Sequence, residues 1–168
     1  MLFRSGIEVL LKELSELNGI SGREDEVRNF IRERIKDQVD EITVDAMGNL
    51  IALRGKGLEG PKVMLAAHMD EVGLMVLGID GSGLLKVGAV GGIDHRILVS
   101  KPVLVGEKRV LGVIGAKPIH LQEKEERRKP IPLKALFVDI GARDKGEAEK
   151  LVKVGDAEIG RASCRERV

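Results

Sequence analysis

Aromatic side chains are scarce in this sequence. It contains no tryptophan, no tyrosine and only three phenylalanines among its 168 residues. Sites that bind sugars usually stack the sugar ring on Trp or Tyr, so the composition counts against a carbohydrate-binding function. Glutamine is also rare, at Gln38 and Gln122 alone, whereas charged residues make up 33% of the chain. Few amides together with many Lys and Glu residues are typical of proteins from thermophiles.

Disulfides, a strong net charge and long apolar runs are also lacking. The single cysteine, Cys164, excludes an internal disulfide. The net charge of +1 offers no basic surface for nucleic acid or an anionic membrane. No apolar run approaches the ~20 residues that a membrane-spanning helix needs, and residues 1–6 lack the apolar core of a signal peptide. We therefore expect a cytoplasmic protein, with enough hydrophobic residues (43%) for a sizeable core.

The most informative stretch runs from Pro61 to Gly73. Its apolar residues 63–67 are bounded by glycine and proline, which predicts a short strand buried on both faces. Because side chains alternate along a strand, His68 and Asp70 should point the same way at its end. An imidazole there can ligate a metal while the carboxylate orients it. The spacing alone leaves a second interpretation open, which is a buried histidine hydrogen-bonded to an aspartate without a metal.

The residues around this pair carry a family resemblance. Residues 66–73 read Ala-Ala-His-Met-Asp-Glu-Val-Gly and resemble the His-x-Asp-Glu-x-Gly motif of the tetrahedral, or deblocking, aminopeptidases, a glutamyl-aminopeptidase-like family of two-metal peptidases. Other stretches resemble the family's further signatures in the same order: Asn18–Gly22, Asp45–Leu50, Val90–Asp94, Gly115–His120, Asp139–Ala142 and Val154–Asp156. The likeness covers roughly residues 7–156.

The resemblance implies a site and an activity. It implies an enzyme that removes N-terminal residues from peptides with two divalent metal ions, zinc or cobalt. His68 would ligate one metal, and Asp70, the catalytic residue of the motif, would accept the other ring N–H. The family's remaining ligands and its general base would follow residue 168, so we expect this chain to be inactive alone. The family also implies a homo-oligomer of dimers, with no nucleic-acid or membrane partner.

The patterns along the chain predict an α/β protein in two parts. Two helical stretches and short alternating strands precede Asp70, and evenly spaced short apolar segments, typical of a small β-barrel or sandwich, follow it. By the resemblance, residues 1–70 are the first part of an incomplete layered α/β metallopeptidase domain. Residues 71–156 are an inserted β-rich oligomerisation domain and a return segment. Residues 157–168 match no family motif, so we expect a poorly packed, non-native tail.

Other interpretations stay open. The chain could be a non-catalytic folding and oligomerisation module, or an endoglucanase, a label that some family members carry. An aminoacylase-type metallohydrolase shares the His-x-Asp strand end, but not the sequence Glu71-Val72-Gly73 that follows it here. His95 and His120 are the other imidazoles, and neither has a second ligand at convincing metal-binding spacing. Cys164 has no nearby histidine to activate it as a nucleophile.

Overall fold

The computed structural model describes residues 2–160. Of these, residues 2–70 form one compact unit and residues 71–160 form another. The elements of the first unit are α1 (Leu2–Ser15), α2 (Asp25–Ile35), β1 (Glu41–Val44) and β2 (Leu50–Leu53). The elements of the second unit are β3 (Gly73–Ile79), β4 (Leu85–Val90), β5 (Pro102–Val105), β6 (Val110–Ala116), β7 (Leu136–Asp139), α3 (Lys145–Leu151) and β8 (Ala157–Gly160). The described helices include none long and apolar enough to cross a bilayer.

In the first unit, a short turn sets the pairing of β1 with β2. The two strands are antiparallel, with Val44 opposite Leu50. The Asp45 carboxylate accepts the backbone N–H groups of Met47 and Asn49, both at 2.9 Å. Gly48 has a φ of +85°, in the left-handed region that glycine adopts without a steric penalty. The Asp45–Leu50 motif therefore acts as a hairpin turn between the two strands.

The strand predicted for residues 63–67 is absent. Residues 61–70 have no regular secondary structure, and the side chains of Val63, Met64 and Leu65 are 83%, 88% and 93% exposed. The prediction of a strand buried on both faces is therefore wrong for this chain. The apolar composition suits a strand, but a strand also needs neighbours that satisfy its backbone groups. Among the described residues, no strand pairs with this segment.

The second unit is a closed antiparallel barrel with the strand order β3-β4-β7-β6-β5-β8. Alternate residues on its strands face inward, as a two-residue period requires. The core consists of Leu74, Val76, Leu85, Val87, Val103, Val105, Ile114, Leu136, Val138 and Val152. Helix α3 begins at the side chain of Asp144, which accepts the backbone N–H of Glu147 at 2.8 Å. The two longer helices precede Asp70, and the described residues after it form mainly short strands.

Strand β8 closes the barrel at residues where we expected a poorly packed tail. Its residues pair with β3 on one side and with β5 on the other. The expectation is therefore wrong for residues 157–160, and residues 161–168 lie outside the described part of the chain. The expectation rested on the lack of a family motif in this stretch. It did not include the backbone hydrogen bonds that two open strand edges offer.

Candidate metal centre

His68 and Asp70 lie at the end of the irregular segment that follows β2. The loop between α1 and α2 packs against this end, because Gly19 brings its backbone close to the segment. A Cβ built on Gly19 would lie 3.3 Å from the Met69 carbonyl oxygen and 2.7 Å from a Val27 methyl group. The neighbouring Ile20 is 1% exposed, so it anchors the loop. These loop contacts, rather than strand pairing, locate the histidine and the aspartate.

The contact predicted between His68 and Asp70 is present, and its geometry identifies Nδ1 of the ring as a hydrogen-bond donor. The Nδ1 atom of His68 lies 3.0 Å from Asp70 Oδ1 and 3.0 Å from the Asp70 carbonyl oxygen. Both oxygens can only accept, since the carboxylate is ionised and the carbonyl has no proton. Nδ1 therefore donates, and when the ring is neutral Nε2 keeps its lone pair. The His68 side chain is 85% exposed, so this nitrogen is accessible.

Asp70 is held by a third residue. The Ser21 hydroxyl donates to Asp70 Oδ2 at 2.5 Å, on the side of the carboxylate that His68 does not use. The Ser21 hydrogen bond is the main cause that holds the pKa of the Asp70 carboxyl below its usual value. Burial opposes it, and the hydrogen bond from His68 lowers the pKa by a smaller amount than burial raises it. The carboxylate thus remains an acceptor for the imidazole at neutral pH.

A cleft of about 350 Å³ opens beside this pair. Besides His68 and Asp70, it is lined by Glu24, Ile31, Met47, Gly48, Asn49, Leu50, Ala67 and Met69. The Glu24 carboxylate already accepts the backbone N–H of Gly22 at 2.6 Å. Residues of helix α2, the β1–β2 turn and the His68 segment, all in the first unit, thus line the cleft.

The described residues fit one ligand of a metal site, but not a complete site. A structural or catalytic metal centre needs three or four ligands. Nε2 of His68 is suited to ligation, because its tautomer is fixed in the way that metal-binding histidines usually show. However, residues 2–160 contain no group of three or more His, Cys, Asp or Glu side chains that could hold an ion together.

The other sequence candidates lie elsewhere. His95 belongs to a 3₁₀ turn, His95–Ile97, that begins at the Asp94 side chain, and it lines a second cavity of about 580 Å³ with Arg96 and Lys117 among others. His120 is exposed in another 3₁₀ turn, Ile119–Leu121. Neither is part of a metal-ligand cluster among the described residues. Cys164 lies outside those residues.

The sequence did not predict the hydrogen bond from Ser21 to Asp70. Ser21 stands in the Asn18–Gly22 motif, but 49 positions separate it from Asp70. Helical or strand periodicity cannot relate residues at that distance. The motif itself could have indicated this contact. A polar side chain in a glycine-containing loop often makes a specific contact for which the loop holds it in place.

A comparison with known families decides the assignment. A family model described as M42 glutamyl aminopeptidase matches residues 48–165, and another, described as AMPT, matches residues 8–30. The chain belongs to the M42 glutamyl aminopeptidase family. The family match continues to residue 165, past Asp156, where the motif resemblance was expected to end.

Individual relatives of the family agree. An Acetivibrio thermocellus protein assigned by name to the aminopeptidases is 46% identical over 147 residues, 88% of this chain and 42% of the relative. The Pyrococcus horikoshii TET1 peptidase structure, which assembles into a tetrahedron or a large octahedral shell, has a TM-score of 0.79 at 45% identity and covers 89% of this chain. A Thermotoga maritima structure named as an endoglucanase has a TM-score of 0.77 at 40% identity and the same coverage.

The matched part is a similar share of each relative. The alignments cover 42% of the Acetivibrio protein, 45% of the P. horikoshii chain and 44% of the T. maritima chain. This M42 chain thus spans less than half the length of the relatives that it matches.

Proposed function

We propose that this chain is part of a metal-dependent aminopeptidase and contributes one metal ligand, His68, with its orienting partner Asp70. The observation that carries the proposal is the hydrogen bond from His68 Nδ1 to Asp70, which leaves Nε2 ready to ligate. Membership of the M42 glutamyl aminopeptidase family supports the peptide-hydrolysing activity. The substrate class is a peptide with a free N-terminus.

We propose that the complete site holds two divalent metal ions, zinc or cobalt. When bound, such ions activate a water molecule and polarise the scissile carbonyl. Among the described residues, His68 is the ligand whose ring is oriented for metal binding by a hydrogen bond at Nδ1. The other ligands and the general base would belong to the part of the relatives that this chain does not match.

The barrel of residues 73–160 is proposed to be an inserted oligomerisation domain of the same enzyme. The P. horikoshii TET1 peptidase supports a homo-oligomer, since that protein assembles into large shells. Apolar side chains on the barrel exterior, such as Leu77 and Leu111 at 61% and 65% exposure, would be suited to a subunit contact. Location in the cytoplasm stays a prediction from composition.

Two alternatives have specific support. The similarity to the T. maritima protein named as an endoglucanase favours that activity, whereas the lack of Trp and Tyr in this chain counts against sugar stacking. The absence of a ligand cluster in residues 2–160 favours a non-catalytic folding and oligomerisation module. Both alternatives differ from the leading proposal in the effect expected when His68 is replaced.

The test uses a full-length M42 protein containing this segment, purified with zinc or cobalt. Replacing His68 with Ala should remove at least one metal per subunit and abolish hydrolysis of leucine and glutamate anilides. The matched control is His120→Ala, which removes an exposed imidazole outside the candidate centre and should leave metal content unchanged. Full anilide hydrolysis by the His68 variant, or cellulose hydrolysis by the parent without peptidase activity, would refute the proposal.

A further inference from the structure

The loop between α1 and α2 supplies a second side chain, besides that of His68, that hydrogen-bonds to Asp70. We propose that Ser21 is a positioning residue of the candidate centre, whose hydroxyl fixes the Asp70 carboxylate so that the His68 ring presents Nε2. This inference rests on the proposed function, because the ring matters only if Nε2 ligates a metal. Membership of the family does not by itself give this serine a role.

The first support is how the two carboxylate oxygens are used. Oδ2 accepts from the Ser21 hydroxyl at 2.5 Å, and Oδ1 lies 3.0 Å from His68 Nδ1. The final torsion of an aspartate side chain is soft, so one hydrogen bond alone leaves the carboxylate plane free to turn. Bonds at both oxygens fix that plane. The hydroxyl of Ser21 therefore determines which oxygen faces the imidazole.

The second support is the lack of packing around the ring. The His68 side chain is 85% exposed, so neighbouring atoms do little to restrain its ring, whereas the Asp70 side chain is 39% exposed and partly packed. Hydrogen bonds must then supply most of the orientation. In water, a neutral imidazole favours the tautomer with the proton on Nε2, which is the wrong one for ligation through that atom.

The third support is that Ser21 is itself well positioned. The preceding Ile20 is buried, and the backbone N–H of Arg23 donates to the Ile20 carbonyl at 2.8 Å, which closes a turn. Gly22, with a φ of +81°, follows the serine, and its N–H donates to Glu24 at 2.6 Å. The hydroxyl is thus presented by an anchored turn and not by a loose loop.

The geometry also separates this role from that of a nucleophile. A nucleophilic serine donates its proton to an imidazole nitrogen, and an aspartate holds the far side of the ring. Here the hydroxyl donates to the aspartate, and Nδ1 of the imidazole is hydrogen-bonded to that same aspartate. Ser21 therefore acts through Asp70, without contact to the ring.

The experiment reads the His68 tautomer by long-range ¹H–¹⁵N NMR on the 168-residue chain without metal. The ring ¹⁵N shifts distinguish the two tautomers at about pH 8.5, where an ordinary imidazole is neutral. His68→Gln identifies the signal among the three histidines. We expect the Nδ1–H form to dominate for His68. Dominance of the Nε2–H form in the unaltered chain would overturn the proposal at once.

The variants then isolate the hydroxyl. Ser21→Ala should lower the ratio of Nδ1–H to Nε2–H at least about threefold, the scale that one lost hydrogen bond to a charged group supports. Ser15→Ala is the matched control, because its hydroxyl donates to the Lys12 carbonyl at an exposed helix end. If Ser21→Ala disturbs the fold, Ser21→Thr and Ser21→Val provide a pair of equal size. Retention of the ratio by Thr and its loss in Val supports the role, and equal ratios in the two overturn it.

Zinc separates this inference from the proposed function. Titration of the same samples with Zn²⁺ should shift the Nε2 signal of His68 in the unaltered chain. If zinc causes no shift while Ser21→Ala still changes the tautomer, the ligand role fails and the positioning of Asp70 by Ser21 stands. If zinc shifts Nε2 equally in both proteins and the tautomer does not change, the positioning role fails alone.

Discussion

Single carboxylates organise several loops of this protein. Asp45 accepts three hydrogen bonds in the β1–β2 turn, and Asp80 accepts the hydroxyl and N–H of Ser82 in the turn after β3. In both cases these bonds hold the pKa of the carboxyl below its usual value, since they stabilise the charged form. Asp70 uses the same chemistry, but one of its donors is a ring whose other nitrogen remains accessible. Under the proposed function, the same kind of hydrogen bonding would orient a metal ligand, His68.

Asp94 gives a pH prediction at this scale. Its hydrogen bonds with the Arg96 side chain and backbone lower the pKa of Asp94 to about 2. A lowered pKa means that the stabilisation is present above the ordinary value of 3.8 and is lost as the pH falls through about 2. Arg96→Gln should raise the pKa toward 3.8, with the backbone bond keeping it somewhat lower. A ¹³C titration of the carboxyl groups measures this, with Asp80 as the internal control. An unchanged midpoint for Asp94 would contradict the account.

Gly19 gives a stability prediction. Gly19→Ala places a methyl group 2.7 Å from Val27 and 3.3 Å from the Met69 carbonyl, so the loop or the segment must move. We expect a loss of about 1–3 kcal/mol in unfolding free energy, the usual effect of overpacking. Urea denaturation followed by circular dichroism measures it.

Gly6→Ala is the matched control for that variant. Gly6 lies within α1, and a Cβ built there meets no atom within 4 Å. The helix should gain about 0.5–1 kcal/mol from the lower entropy of alanine in the unfolded chain. Equal effects of the two substitutions would show that the approach of Gly19 to Met69 is unimportant.

At the scale of elements, the alternation of apolar residues predicted which side chains of the barrel strands face the core. Pairs such as Val103/Val105 and Leu136/Val138 lie two residues apart and face the barrel core, as their spacing indicates. Residues 63–67 have an equally clear apolar signal but form no strand. The difference is whether a neighbouring strand is present to hydrogen-bond with the segment. That depends on parts of the chain distant in sequence. The same reason explains β8, which has a weak apolar pattern but two strand edges to bond.

Strand β8 can be tested by truncation. Ending the chain after Asp156 should leave β3 and β5 with open edges, because β8 pairs with Met75 on one side and Leu104 on the other. We expect amide hydrogen exchange of residues 73–76 and 102–105 to accelerate at least about tenfold, since these bonds become exposed to water. A chain ending after Gly160 is the matched control. Equal exchange in the two truncated chains would show that β8 contributes nothing to barrel closure.

At the scale of the whole molecule, the chain combines a complete barrel with a first unit that has a small core. The barrel has a buried core of ten residues, whereas the described core of residues 2–70 includes only Ile20 and Val27. Exposed Val63, Met64 and Leu65 add apolar surface of a kind that favours self-association. The chain spans less than half the length of the relatives that it matches.

The 168-residue chain should therefore have no appreciable aminopeptidase activity. A single imidazole, His68, binds a divalent ion weakly, since tight sites use three or four ligands. Under the proposed function, a site without its general base would lose about 10²–10⁴ in rate, and a site without its metals would lose water activation as well. We expect anilide hydrolysis at least about 10⁴-fold below that of the full-length protein, at equal molar concentration with added zinc or cobalt. Metal content by atomic absorption should be far below one ion per chain after dialysis. Stoichiometric metal with turnover near that of the full-length protein would mean that other side chains of this chain complete a site, and His95→Ala and His120→Ala would then identify them.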